Sequence, residues 1–197
     1  AVLFRSNARN AEAYLAGFVA FIALVMVIAG YPWVIDGGVI RYEASWVPEL
    51  GLAFSLRMDG LSWVMSAVIA GIGVLVVVYA RYYMSPADPV PRFFSFLLAF
   101  MGAMLGIVLS GNLIQLVFFW ELTSLFSFLL IGYWHQNAQA REGARMALIV
   151  TSAGGLCLFA GVLVLGHITG SYDLDRVLAS GAAIRSHALY VPALILV

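Results

Sequence analysis

The stretch LVFFWELTSLFSFLLIGYW, from Leu116 to Trp134, decides the fold through one letter that does not fit its surroundings. Glu121 stands between Trp120 and Leu122, near the middle of an apolar run that begins at Leu113 and is long enough to cross a bilayer. A carboxylate at that depth costs about 2.5 kcal/mol or more on insertion scales. The rest of the chain must show that a membrane is there and what the acid gains.

Of the 197 residues, 63% are hydrophobic and 10% charged, with a mean hydropathy of +1.00. A soluble domain carries about 25% charge, so the chain reads as an integral membrane protein. The net charge of +0 supplies no field for nucleic acid or an acidic surface. All ten basic residues are Arg, and there is no Lys. Cys157 is the sole cysteine, which excludes an internal disulfide and a cysteine-built metal site; in its apolar run it reads as a small buried hydrophobe.

Apolar runs bounded by charge or turn residues predict an all-α, polytopic transmembrane bundle, read as a single membrane domain over residues 1–197. The spans are expected at about 11–30, 60–80, 92–110, 113–134 and 144–166, each close to the ~20 residues a bilayer requires. Only SGN, Ser110 to Asn112, separates the third from the fourth, which makes those two a tight antiparallel hairpin. SPADPVP, Ser85 to Pro91, is read as a loop. Between Tyr31 and Asp59, the alternating stretches VIRYEAS and LAFSLRM predict a short surface hairpin of strands.

The ends look cut. Ala1 to Phe4 is apolar but runs straight into Arg5, Asn7, Arg9 and Asn10, with no signal-peptide core, and the first residue is not Met. LYVPALILV, residues 189–197, begins a further apolar segment and stops after roughly half of the ~20 residues needed to span. The expectation is a fragment, cut inside or just after one helix and inside another.

Counting Arg sets the orientation. With the start of the chain in the cytoplasm, the inside segments hold Arg5, Arg9, Arg81, Arg92, Arg141 and Arg145, and the outside ones hold Arg41, Arg57, Arg176 and Arg185. Asp36, Glu43, Glu49, Asp59, Asp173 and Asp175 fall outside, in agreement. Gly71 with Gly73, Gly102 with Gly106, and Gly154 with Gly155 read as places where helices approach closely in lipid.

On a helix, Ser124 and Ser127 follow Glu121 at successive three-residue steps, so the acid heads a narrow polar stripe that must face protein or water. A movable positive partner could switch its proton affinity, which is the requirement of a proton relay; a merely structural acid, hydrogen-bonded to a neighbouring helix, is the plainer alternative. No basic residue lies in the interior of a complete span, so such a partner is expected beyond Val197 or on another subunit. His135 and His167 are accessory candidates, read first as an interfacial and a loop histidine. Asp59 reads as a helix cap, Asn112 and Gln115 as interface polarity that could wet the outer end of the glutamate span, and Arg141 and Arg145 as positive-inside residues. No Gly-rich phosphate loop, H-E-x-x-H or dinucleotide fingerprint is present, so an enzyme is not expected, and no cofactor or metal is called for.

RMDGLSWVM, VVVYARYYM, FFWELTSLFSFLLIGYW, GARMALIVTSAGGLCLFAG and GSYDLDRVL together resemble the large A subunit of the bacterial Mrp-type (Pha-type) multisubunit cation/proton antiporters. The resemblance runs over the whole chain in order and covers only part of that subunit. The same fold family includes the antiporter-like, proton-pumping membrane subunits of respiratory NADH dehydrogenase. Those tend to carry a carboxylate in the sixth helix where this chain reads TSAGG, a departure that favours the Mrp reading.

The resemblance implies a role for Glu121 as the fifth-helix glutamate of the proton pathway, paired with a seventh-helix lysine that would lie past Val197. It makes Ala1 to Phe4 the tail of the first helix, the five spans helices two to six, and LYVPALILV the start of the seventh. It further implies sodium or potassium as the exchanged cation, other Mrp antiporter subunits as partners, and a bacterial inner membrane as the location. A component of a redox-driven proton pump and a structural membrane scaffold are the alternatives.

Overall fold

The computed structural model describes residues 8–47, 52–85 and 88–197. Arg5, the Ala1 to Phe4 segment, Pro48 and Glu49 lie outside them, as do Pro86 and Ala87 of the expected loop.

The elements run α1 (Ala8–Ala29), α2 (Tyr31–Val34), β1 (Ile40–Val47), β2 (Leu52–Met58), α3 (Gly60–Tyr83), α4 (Val90–Val108), α5 (Leu113–Ile131), α6 (Ala138–Thr169), α7 (Leu174–Ala179), α8 (Gly181–Ser186) and α9 (Tyr190–Leu196). Among the described residues five helices are long and apolar enough to cross a membrane: α1 with its apolar window running on through α2, then α3, α4, α5 and α6. The chain is thus an α-helical membrane bundle with one small sheet.

That sheet is the expected hairpin. β1 and β2 pair antiparallel, with Ile40 opposite Met58, Tyr42 opposite Leu56 and Ala44 opposite Phe54, and a bulge between Ser45 and Val47. Below it, α3 packs on α1 and α4, and α5 on α4 and α6.

The seam between α1 and α3 is built mainly from small residues turned inward, while Phe94, Leu113 and Tyr133 fill the core elsewhere. The buried positions of α3 are Ser62, Ser66, Ala70, Gly73, Val77 and Ala80, steps of three or four that mark one helix face. α1 meets it with Ala13, Ala16 and Ala20, while Leu61, Leu75 and Met26 point outward at 71%, 68% and 70% exposure. Lipid tails are as apolar as leucine, so burying leucine gains little in a membrane; close backbone approach over small side chains gains dispersion contact instead. One glycine of each expected pair serves that approach. Gly73 meets the Met101 sulfur, Gly106 the Phe119 ring and Gly155 the Glu121 carboxylate, whereas Gly71, Gly102 and Gly154 face open space.

Several boundaries differ from the sequence reading, each for a local reason. α6 begins at Ala138, six residues before the apolar run, because a helix can continue past the membrane boundary where its charged residues find water; Asn137 caps it by accepting from the Gln139 N–H at 2.9 Å. α5 stops at Ile131, so Gly132, Tyr133 and Trp134 form the connection and not the helix end. Val90 and Pro91 belong to α4 and not to the loop, since proline is tolerated in a first helical turn. α6 ends on Gly170, whose φ of +69° is the left-handed conformation glycine adopts without strain. Cys157 is exposed on α6, contrary to its reading as a buried hydrophobe.

Candidate functional site

Asn112 starts α5 by accepting from the N–H groups of Ile114 at 2.9 Å and Gln115 at 3.4 Å. Glu121 then lies eight residues in, about 12 Å along the helix axis at 1.5 Å per residue, with ten residues still to run to Ile131. It is therefore at mid-depth in its span. The side chain turns toward α6 and lies against Gly155, beside Trp120.

The residue is half-buried, but its Oε1 is fully enclosed and has no hydrogen-bond partner among the described residues. Such an atom either carries a proton, meets a partner from elsewhere, or leaves a charge that is several kcal/mol out of balance. Ser124 is buried one turn on, yet its hydroxyl donates back to the Trp120 carbonyl at 3.3 Å and does not serve the carboxylate. Ser127 is half-buried. The serine stripe is thus present on the helix, but among the described residues no hydrogen bond runs along it to the acid.

The remaining polar candidates do not converge on Glu121. His135 is exposed beyond the end of α5, and His167 is exposed in the last turn of α6, at the opposite end of the bundle. Asn112 and Gln115 are buried, and both hold the frame together. The Gln115 Oε1 accepts the backbone N–H of Ser55 at 2.8 Å, tying β2 to α5.

At this hairpin end the SGN turn does more than reverse the chain. Gly111 donates its N–H to the Ser55 carbonyl at 2.9 Å, and its own carbonyl accepts from Leu174 at 2.9 Å, so the turn is laced between β2 and the segment after α6. A charge cluster closes the same corner. Arg57 bonds Asp59 and reaches Asp175 at 2.8 Å, and Arg41 reaches Asp173 at 3.0 Å and Asp175 at 2.6 Å. Two of the four Arg counted on this side, Arg41 and Arg57, are thereby paired with local acids.

Burial works against the charged form of Asp59, but the Ser62 N–H and the Arg57 guanidinium outweigh it and hold the carboxyl at about 2. Arg57 is likewise opposed by burial and raised on balance by Asp59 and Asp175. Asp59 and Ser62 form a reciprocal capping box at the start of α3, the cap expected from sequence. Sequence reading missed the Arg41, Arg57, Asp173 and Asp175 cluster, for which the available signal was the gathering of acids on one side; it marked Gly155 as a place of close helix approach but not as the seat of the Glu121 carboxylate.

At the other, basic end, a cavity of about 280 Å³ opens between α4, α5 and α6, lined by Arg92, His135, Arg141 and Arg145 together with Phe128 and Leu129. Arg141 donates to the carbonyls of His135 at 2.7 Å and Gln136 at 3.3 Å. Among the described residues no group of three or more His, Cys, Asp or Glu is placed to hold a metal ion.

Comparison with known proteins agrees with this architecture. Residues 110–197 match the family described as NADH:quinone oxidoreductase/Mrp antiporter, TM, and residues 46–94 match the family described as NADH-Ubiquinone oxidoreductase (complex I), chain 5 N-terminus. The chain is 60% identical, over all of its length, to 20% of the A/B subunit of a probable K(+)/H(+) antiporter of Rhizobium meliloti. It is 42% identical, over 82% of its length, to 20% of the A subunit of the Na(+)/H(+) antiporter of Alkalihalophilus pseudofirmus. A solved structure of the Mrp complex from Dietzia sp. DQ12-45-1b superposes on 99% of the chain and 21% of the matched chain, with a TM-score of 0.82 and 28% identity. The chain thus spans about a fifth of the length of these relatives. Over residues 110–197 the chain thus belongs to the family described as NADH:quinone oxidoreductase/Mrp antiporter, TM, and its likeness to antiporter A subunits runs along its whole length.

Proposed function

We propose that this chain is part of a transport subunit that exchanges monovalent cations for protons, and that Glu121 binds and releases the proton. The observation that carries the reading is the enclosed Glu121 Oε1, which has no partner among the described residues at mid-depth between α5 and α6. An acid kept only for structure would have its oxygens satisfied by the neighbouring helix. A proton site needs the opposite: an oxygen whose charge is disfavoured until a cation approaches.

The positive partner is to be sought outside the described residues, since the Arg residues of the five spans lie toward their basic ends, and Arg145 of α6 is ten residues, about 15 Å along the axis, from the Gly155 that Glu121 meets. Relatives are named for K(+)/H(+) and for Na(+)/H(+) exchange, which supports a monovalent cation and does not choose between the two. The complete protein would work as a transporter rather than an enzyme, in a hetero-oligomer with other Mrp antiporter subunits, in a bacterial inner membrane. The basic end, with Arg81, Arg92, Arg141 and Arg145, would face the cytoplasm. Ser124, Ser127, His135 and His167 would be accessory at most, acting through bound water.

The test is cation-driven collapse of a proton gradient in everted vesicles holding the full-length subunit with its partners, native against Glu121→Ala and Glu121→Gln at matched assembly. Loss of exchange with intact assembly is expected. Undiminished exchange would return Glu121 to a structural role.

A further inference from the structure

We infer that the cavity between the basic ends of α4, α5 and α6 binds the phosphoryl headgroup of an anionic phospholipid. Three guanidinium groups and one imidazole line it: Arg92 from the first turn of α4, Arg141 and Arg145 from the first turns of α6, and His135 from the connection before α6. Among the described residues no carboxylate lines it. Glu142 borders a neighbouring groove that Arg141 and Arg145 also line.

The contrast with the hairpin end gives the cluster its meaning. There, Arg41 and Arg57 each meet two carboxylates. Here, none of Arg92, Arg141 and Arg145 has a carboxylate within 4 Å among the described residues. Arginines gathered around a recess repel one another and call for an anion, and a guanidinium fork suits phosphate oxygens. Arg141 is already braced on the His135 and Gln136 carbonyls, so its position is set before an anion arrives.

A lipid phosphate fits better than a soluble one, because the same cavity is walled by Phe128, Leu129 and Ala144 and lies where membrane helices end. Just along α6, Met146 and Ile149 are 62% and 66% exposed, an apolar track for acyl chains directly below the charges. At about 280 Å³ the recess has the room of roughly nine waters at about 30 Å³ each, ample for a phosphoryl group. Basic pockets between membrane helices recognise anionic headgroups by this combination of charge and depth.

The experiment uses the full-length subunit with its partner subunits, reconstituted in phosphatidylcholine nanodiscs with graded phosphatidylglycerol, and counts retained phosphatidylglycerol. Arg141→Gln with Arg145→Gln should weaken retention by about fivefold for each arginine lost, while the matching Arg→Lys pair keeps most of it. Arg176→Gln, at the hairpin end, should change nothing. If the double Gln variant does not assemble, Arg92→Gln and Arg145→Gln singly carry the comparison. Native-like retention in the Gln variants would overturn the assignment. So would displacement of the lipid by millimolar inorganic phosphate, which would give the cavity to a soluble anion.

Discussion

The Glu121 carboxylate rests against the α carbon of Gly155, in a space that any side chain on α6 would fill. The acid is therefore positioned by an absence. α6 offers it neither a charge nor a hydrogen bond there, only room to sit between two helices without one.

A methyl group at Gly155 would collide with the carboxylate and crowd the Trp120 ring, whereas one at Gly154 would meet nothing within 4 Å. Gly155→Ala should destabilise the assembled complex by about 1–3 kcal/mol, the usual range for overpacking. Gly154→Ala should be neutral or slightly stabilising, since alanine is the better helix former by about 1 kcal/mol. Thermal melts of the two variants, alongside exchange activity, decide the matter. Equal melting temperatures would mean that the α5 to α6 contact tolerates the extra carbon.

The sequence revealed the span and the acid because hydropathy and insertion cost are local properties, and it revealed the β-hairpin because alternation is local too. The tie from Gln115 to Ser55 joins residues 60 apart, and that from Arg57 to Asp175 joins residues 118 apart. No periodicity encodes such pairs. Gln115 and Asn112 look like interfacial polarity in a string of letters, and become buried fasteners only once β2 is laid over the turn. The start of α6 was hidden for a different reason. Arg141, Glu142 and Arg145 end an apolar run, but charge marks where the membrane stops and not where the helix does.

Asp59 predicts an acid transition confined to the hairpin end. Its folded carboxyl stands at about 2 against an ordinary 3.8, so the folded state binds its proton less readily than the unfolded one. The stabilisation is fully present above the unfolded value and is lost as pH falls from about 4 toward 2. Asp59→Ala should flatten that part of the stability profile and, by removing the cap on α3, cost about 1 kcal/mol at neutral pH. Stability followed from pH 5 downward in native and variant protein tests it. Identical acid profiles would sink the assignment.

Gln115 carries the last expectation. Its Oε1 is the acceptor for the Ser55 N–H in the middle of β2, at a site where both residues are buried. Gln115→Leu keeps the apolar volume and strands that N–H, which should cost about 1–3 kcal/mol. Gln115→Glu keeps an acceptor oxygen and should hold the strand. The direct readout is amide exchange over Leu52–Met58, measured by mass spectrometry on the assembled protein. Faster exchange in the leucine variant alone would mean that α5 clamps the hairpin through this side chain. Unchanged exchange in both variants would mean that the β1 to β2 ladder and the Gly111 bond to Ser55 hold β2 without it, leaving Gln115 no share in fastening the hairpin to the glutamate helix.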